Sequence, residues 1–158
     1  MPKNKVIPVF DESVRDLCFK PYPGRPQGCP NYGKKRGCPP SAPLLEEIAD
    51  PSWPCFVIWN VFNIGAQMAR MLERHPGWSE RQQSCCRYWQ KGARKQLEMK
   101  IEEFKRGHPK HTVTRCPEAM GVNVTGTMLR IGVELEWPPK RIARQVAIAF
   151  VRKEESDD

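Results

Sequence analysis

CFVIWNVFN, residues Cys55 to Asn63, is a nearly unbroken apolar and β-rich run bounded by Pro54 and Gly65. A short continuous run of this kind predicts a strand buried on both faces. A second run, QVAIAFV at Gln145 to Val151, has the same character. Alternation puts its Val146, Ile148 and Phe150 on one face and Ala147, Ala149 and Val151 on the other. The two runs predict neighbouring strands at the centre of a small sheet.

Working outward, the spacing predicts helices to cover that sheet. Ala66 to Arg74 places Met68, Met71 and Leu72 on one helical face and stops at Pro76-Gly77. Ser79 and Gln82 then form a capping-box pattern. Behind them Cys86, Trp89, Ala93, Leu97, Ile101 and Phe104 recur every three or four residues, which predicts one long helix over Ser79 to Arg106. Arg87, Lys91, Arg94, Lys95 and Lys105 occupy its other sides. An edge strand is expected at Lys5 to Phe10, and a helical turn at Asp11 to Leu17. A short helix should open near Ser41-Ala42-Pro43 and end before Pro51. His111 to Arg115 alternates like a strand, and Val122 to Ile131 has room for a short helix.

The expected class is α/β, a small central sheet covered by helices, in one domain of 158 residues. Residues 1–54 form a loop-rich cysteine region, 55–152 the core and 153–158 an acidic tail.

The cysteine region contains CFKPYPGRPQGCPNYGKKRGCPP, Cys18 to Pro40, with six prolines and four glycines. Such a segment has little apolar surface to bury, so a disulfide or a metal must fix its shape. Cys29 and Cys38 each precede a proline, which holds them extended and projects the sulfur from a stiff turn. Cys116, also followed by proline, is the expected fourth member of the set. Four thiolates suit zinc or an iron–sulfur cluster. Structural zinc sites usually pair their ligands as Cys-x-x-Cys, and none occurs here, so a 4Fe–4S centre is favoured over zinc. Tyr32, Lys34, Lys35 and Arg36, between two of the cysteines, are expected around the site, where cations offset the charge of the thiolates.

Val14 to Cys18, then Cys29, Tyr32, Gly33 and Lys34, then Cys38-Pro39-Pro40 resemble a family of small predicted metal-binding proteins of uncharacterised function. Arg115 to Pro139 resembles that family's closing segment, in which a Cys-Pro pair precedes a Gly-containing turn, a short helix and a final strand. The resemblance implies metal binding and leaves the biochemical role open. Arg36 and Gly37 stand where an aromatic usually precedes the Cys-Pro-Pro cysteine, and Cys116 has no cysteine companions nearby, so a second cluster is not expected.

No apolar run approaches the ~20 residues needed to cross a bilayer, and MPKNKVIPVF is not a secretion signal, so a cytoplasmic protein without a membrane partner is expected. In a reducing compartment an odd count of seven cysteines points to metal or catalytic use over disulfides. Cys55 and Cys86 are expected in the core, with Cys85 off the buried stripe. His75, His108 and His111 are expected at solvated element ends, without a hydrolytic triad. The net charge of +8 permits an anionic partner, nucleic acid included.

Three functions follow. The first is a cluster protein with a structural, redox or electron-transfer role, whose redox partner or small-molecule substrate the residues do not name. The second is an enzyme of sulfur-transfer or desulfuration type using a three-cysteine cluster with an open iron. The third is a zinc-stabilised nucleic-acid-binding module.

Overall fold

The computed structural model describes residues 3–18, 20, 26–30, 32–34 and 36–154. Strands β1 (Lys3–Val6), β2 (Cys55–Trp59), β3 (Thr112–Thr114) and β4 (Val146–Phe150) form a sheet in the order β1-β2-β4-β3. Every pairing is antiparallel. The two apolar runs are its central neighbours, with Val57 opposite Ile148 and Phe56 opposite Ala149. The expected edge strand is displaced toward the N-terminus. Pro8 has no N–H to give a ladder, and Phe10 makes an isolated bridge with Val122 instead.

Strand alternation divides the interior into two cores. Val57, Trp59, Val146, Ile148 and Phe150 face Leu45, Met120, Val122, Val124 and Met128. On the other side, Ile58, Ala147 and Ala149 meet Leu97, Ile101 and Phe104 of α4 (Gln90–Gly107). Asn60, fully buried, fixes α4 to the sheet. Its amide N–H groups donate to the Ala93 carbonyl (2.7 Å) and to Gln145 Oε1 (3.0 Å), and its Oδ1 accepts from the Gln145 N–H (2.6 Å).

The helix expected over Ser79 to Arg106 is broken into α3 (Glu80–Gln83), a 3-10 turn at Cys86–Tyr88, and α4. The capping box at Ser79 and Gln82 forms as expected. A continuous helix would give the Ser84 carbonyl to the Tyr88 N–H. Here the indole Nε1–H of Trp89 donates to it at 3.0 Å, while the Trp89 ring stacks on Phe62. Cys86 is consequently exposed, not core, and Cys85 is half-buried.

α2 (Ile64–Arg74) starts two residues earlier than expected, because Asn63 Oδ1 caps it by accepting from the Ala66 N–H (2.9 Å). Its buried row then runs through Ile64 and Gln67, which turns Leu72 outward. α1 (Leu45–Ile48) ends before Pro51 as expected but begins later than Ser41. His111, expected in solvent, is buried beside Phe56 and Phe104, with Nε2 2.9 Å from the Pro54 carbonyl. Cys55 is half-buried at the start of β2, and burial pushes its thiol pKa up.

Candidate functional site

Two segments distant in sequence meet on the α1 side of the sheet. The first, residues 9–18, ends in a 3-10 turn, Glu12–Cys18. The second runs from Cys116 through the turn Glu118–Met120 into α5 (Val124–Leu129). Backbone bonds lock them together. The Asp11 N–H donates to the Gly121 carbonyl (2.8 Å), and the Asn123 N–H to Val9 (2.8 Å). Thr127 Oγ1 accepts from the Val9 N–H at 2.9 Å. Gly121 sits in the left-handed region at φ +77°, and a Cβ there would lie 2.7 Å from Leu44 Cδ2. Only glycine allows this approach without strain.

Backbone hydrogen bonds and Arg15 hold the described residues of the cysteine loop. The Cys29 N–H donates to the Cys18 carbonyl (2.7 Å), Tyr32 to Cys29 (3.2 Å), Gly33 to Pro39 (2.7 Å) and Ala42 to Cys38 (3.1 Å). Gly28, immediately before Cys29, sits in the left-handed region at φ +78°, which glycine adopts without strain. Arg15 Nη2 donates to the carbonyls of Pro40 (3.0 Å) and Ala42 (2.9 Å), tying the end of the loop to the turn that carries Cys18. Cys116 leads its own turn, with its carbonyl accepting from the Ala119 N–H (3.1 Å).

Within this group the surroundings of Cys18 shift it clearly. Burial pushes the Cys18 thiol pKa up, and the charges of Cys29, Cys38, Glu118 and Cys116 add to that in this order. All four groups therefore lie within electrostatic reach of Cys18. Burial also pushes the Glu118 carboxyl up, against a hydrogen bond from its own backbone N–H. Cys18, Cys29 and Cys38 are half-buried and Cys116 is exposed. No disulfide joins any of the seven cysteines, all of which are described. Among the described residues no group of three or more His, Cys, Asp or Glu side chains is arranged to hold a metal ion. A metal held by these cysteines is therefore a proposal.

Of the groups expected around the cysteines, Tyr32 is half-buried and bonded through its N–H to Cys29, whereas Lys34 and Arg36 are exposed. Lys35 lies outside the described residues. Arg15, Glu118 and Gly121 were not singled out from sequence as site residues. Arg15 lies inside the Val14–Cys18 motif, but its role depends on carbonyls 25 and 27 residues away, which no local pattern marks. Beside Glu118 a cleft of about 270 Å³ opens between Val14, Leu17, Val124, Thr125 and Trp137.

Beyond this site, the described residues contain no helix long and apolar enough to cross a membrane. No protein-family model, curated protein or solved structure matches the chain.

Proposed function

We propose that Cys18, Cys29, Cys38 and Cys116 together hold a 4Fe–4S cluster, and that the protein has a structural, redox or electron-transfer role. The supporting observation is geometric: the Cys29 N–H donates to the Cys18 carbonyl (2.7 Å), and the Asp11 N–H donates to the Gly121 carbonyl (2.8 Å), which locks the turn carrying Cys18 to the turn led by Cys116. The donor set fits the group: four soft thiols, none in a disulfide, is the complement such clusters take. When bound, the cluster supplies one-electron chemistry at a potential set by its surroundings. The chain's own residues fix the ligands. Arg15 clamps Pro40 and Ala42 next to Cys38, and the Gly121 carbonyl joins the Cys116 turn to the Cys18 turn by accepting from the Asp11 N–H.

A second reading is favoured by the cleft beside Glu118. In it Cys18, Cys29 and Cys38 hold the cluster, Cys116 is not a ligand, and a small sulfur-containing substrate enters the cleft. Cys116→Ala separates the two, since it lowers iron content in the first reading and leaves it unchanged in the second. Zinc is the competing metal. Protein purified without oxygen should be brown, with iron and acid-labile sulfide in equal amounts. Colourless protein containing stoichiometric zinc would replace the cluster with a zinc site, and metal-free protein would remove both.

A further inference from the structure

The segment from Arg70 to Lys95 carries seven lysines and arginines against two glutamates, a net +5 of the chain's +8. Folding gathers it around a knot of rings. His75 stacks on Trp78 with centroids 3.9 Å apart and planes 10° from parallel, and Tyr88 leans on Trp78 at 5.6 Å. The knot is fixed from beneath. Gln83 Nε2 donates to the Trp78 carbonyl (2.9 Å) and the Trp89 indole to Ser84 (3.0 Å). Trp89 stacks inward on Phe62, so the break between α3 and α4 leaves its neighbour Tyr88 outside, 48% exposed.

Cations flank the exposed rings. Arg74 adjoins His75, Arg81 lies one turn beyond Trp78, and Arg87 adjoins Tyr88; all three are exposed. Lys91 and Lys95 continue along α4 at a four-residue spacing, one helical turn apart and both exposed. None of these cations forms an ion pair with a described residue.

From this arrangement we infer that the ring knot and the cationic row of α4 form a binding surface for single-stranded nucleic acid. Bases stack on Tyr88 and His75, and the phosphates run past Arg81, Arg87, Lys91 and Lys95. A rigid aromatic platform beside unpaired cations matches both faces of such a strand, because every base has a π-face and every linkage a charge. An anionic membrane fits less well. It would need an apolar wedge, and the exposed large hydrophobics in this segment are Leu72 and Tyr88 alone. The inference does not depend on the cysteine centre.

Fluorescence anisotropy with labelled oligouridylate and oligothymidylate on the full chain tests it, the two probes separating RNA from DNA as the source of the strand. Saturable binding is expected to at least one of them, weakening as salt rises by about 0.7 log units per phosphate contact for each decade of salt. Tyr88→Ala should weaken binding about tenfold and Tyr88→Phe should restore it, which a merely structural role at an exposed ring would not produce. Arg87→Gln with Lys91→Gln should flatten the salt slope, while Arg152→Gln with Lys153→Gln, removing equal charge elsewhere, should change affinity less than twofold. Circular dichroism checks that each variant folds. Absence of binding at low salt would overturn the inference, as would tighter binding to duplex or to phosphatidylglycerol vesicles, or a Tyr88→Ala variant that folds and binds as before.

Discussion

Gly121 stands where the Cys116 turn meets the Glu12–Cys18 turn, its carbonyl accepting from the Asp11 N–H. Its φ of +77° strains any L side chain, so Gly121→Ala is unfavourable even though Leu44 Cδ2, 2.7 Å from the added Cβ, ends a side chain that can move aside. A cost of about 1–3 kcal/mol is expected in thermal or denaturant unfolding, with Cys18 and Cys116 more reactive toward alkylation. An unchanged midpoint would mean that the Glu12–Cys18 turn does not depend on this contact. Glu98 and Arg115 offer a second residue-level test. The guanidinium of Arg115 hydrogen-bonds both carboxylate oxygens of Glu98 and, by that bond first, holds the carboxyl below its ordinary range. A depressed carboxyl contributes stability above its unfolded pKa of about 4.3 and loses it as pH falls through the folded value. Both side chains are nearly half exposed, so solvent limits the effect to about 0–1 kcal/mol. Glu98→Gln should therefore cost under about 1 kcal/mol at neutral pH and progressively less as the pH falls below the ordinary carboxylate range, by denaturant titration. A cost that persists in acid would show that the pair matters through packing instead.

At the scale of elements, α4 is the lid over one face of the sheet, and Leu97 lies at the middle of its buried row. Leu97→Asp puts an unpaired charge among Ile58, Ala147 and Phe104, and the variant should lose its cooperative unfolding transition. Retained solubility and native helicity would remove this packing arrangement. The central strands and the inner half of α4 were legible in sequence because burial there follows period two and period 3.6 over several residues. The break at Ser84–Cys85 was not, because the periodic pattern through Cys86 and Trp89 continues across it. What ends the helix is an indole taking a backbone carbonyl, a contact between side chain and main chain that hydrophobic spacing does not encode. For the same reason Cys86 was expected inside. The candidate ligands Cys29, Cys38 and Cys116 stand out in sequence by the proline after each, and Cys18 by the poverty of apolar surface in the loop it opens. The tie between the loop end and the Cys18 turn, Arg15 bridging to Pro40 and Ala42, is long-range and silent in sequence.

For the whole molecule, the sheet separates two territories. On one face α4 closes an apolar core of Ile58, Leu97, Ile101, Phe104, Ala147 and Ala149. On the other, the layer of α1, α5 and the 3-10 turns carries the cysteines, and its loop is held largely by hydrogen bonds. A cluster there should stabilise the two sides unequally. Treating the anaerobic protein with an iron chelator should speed backbone hydrogen exchange over residues 12–44 while β2, β4 and α4 stay protected. Loss of protection throughout would mean that one cooperative unit includes the centre, and no change anywhere would mean that no metal supports the loop. The most direct measurement is the alkylation rate of each cysteine in untreated protein, read by mass spectrometry. Cys86 and Cys116 are the two exposed cysteines, so without a ligated metal both should be open to the reagent. With the proposed cluster bound, Cys86 is modified while Cys18, Cys29, Cys38 and Cys116 resist together, and all four become reactive after chelation. Modification of Cys116 at the pace of Cys86, with Cys18, Cys29 and Cys38 reacting alongside it before any chelator is added, would contradict the cluster.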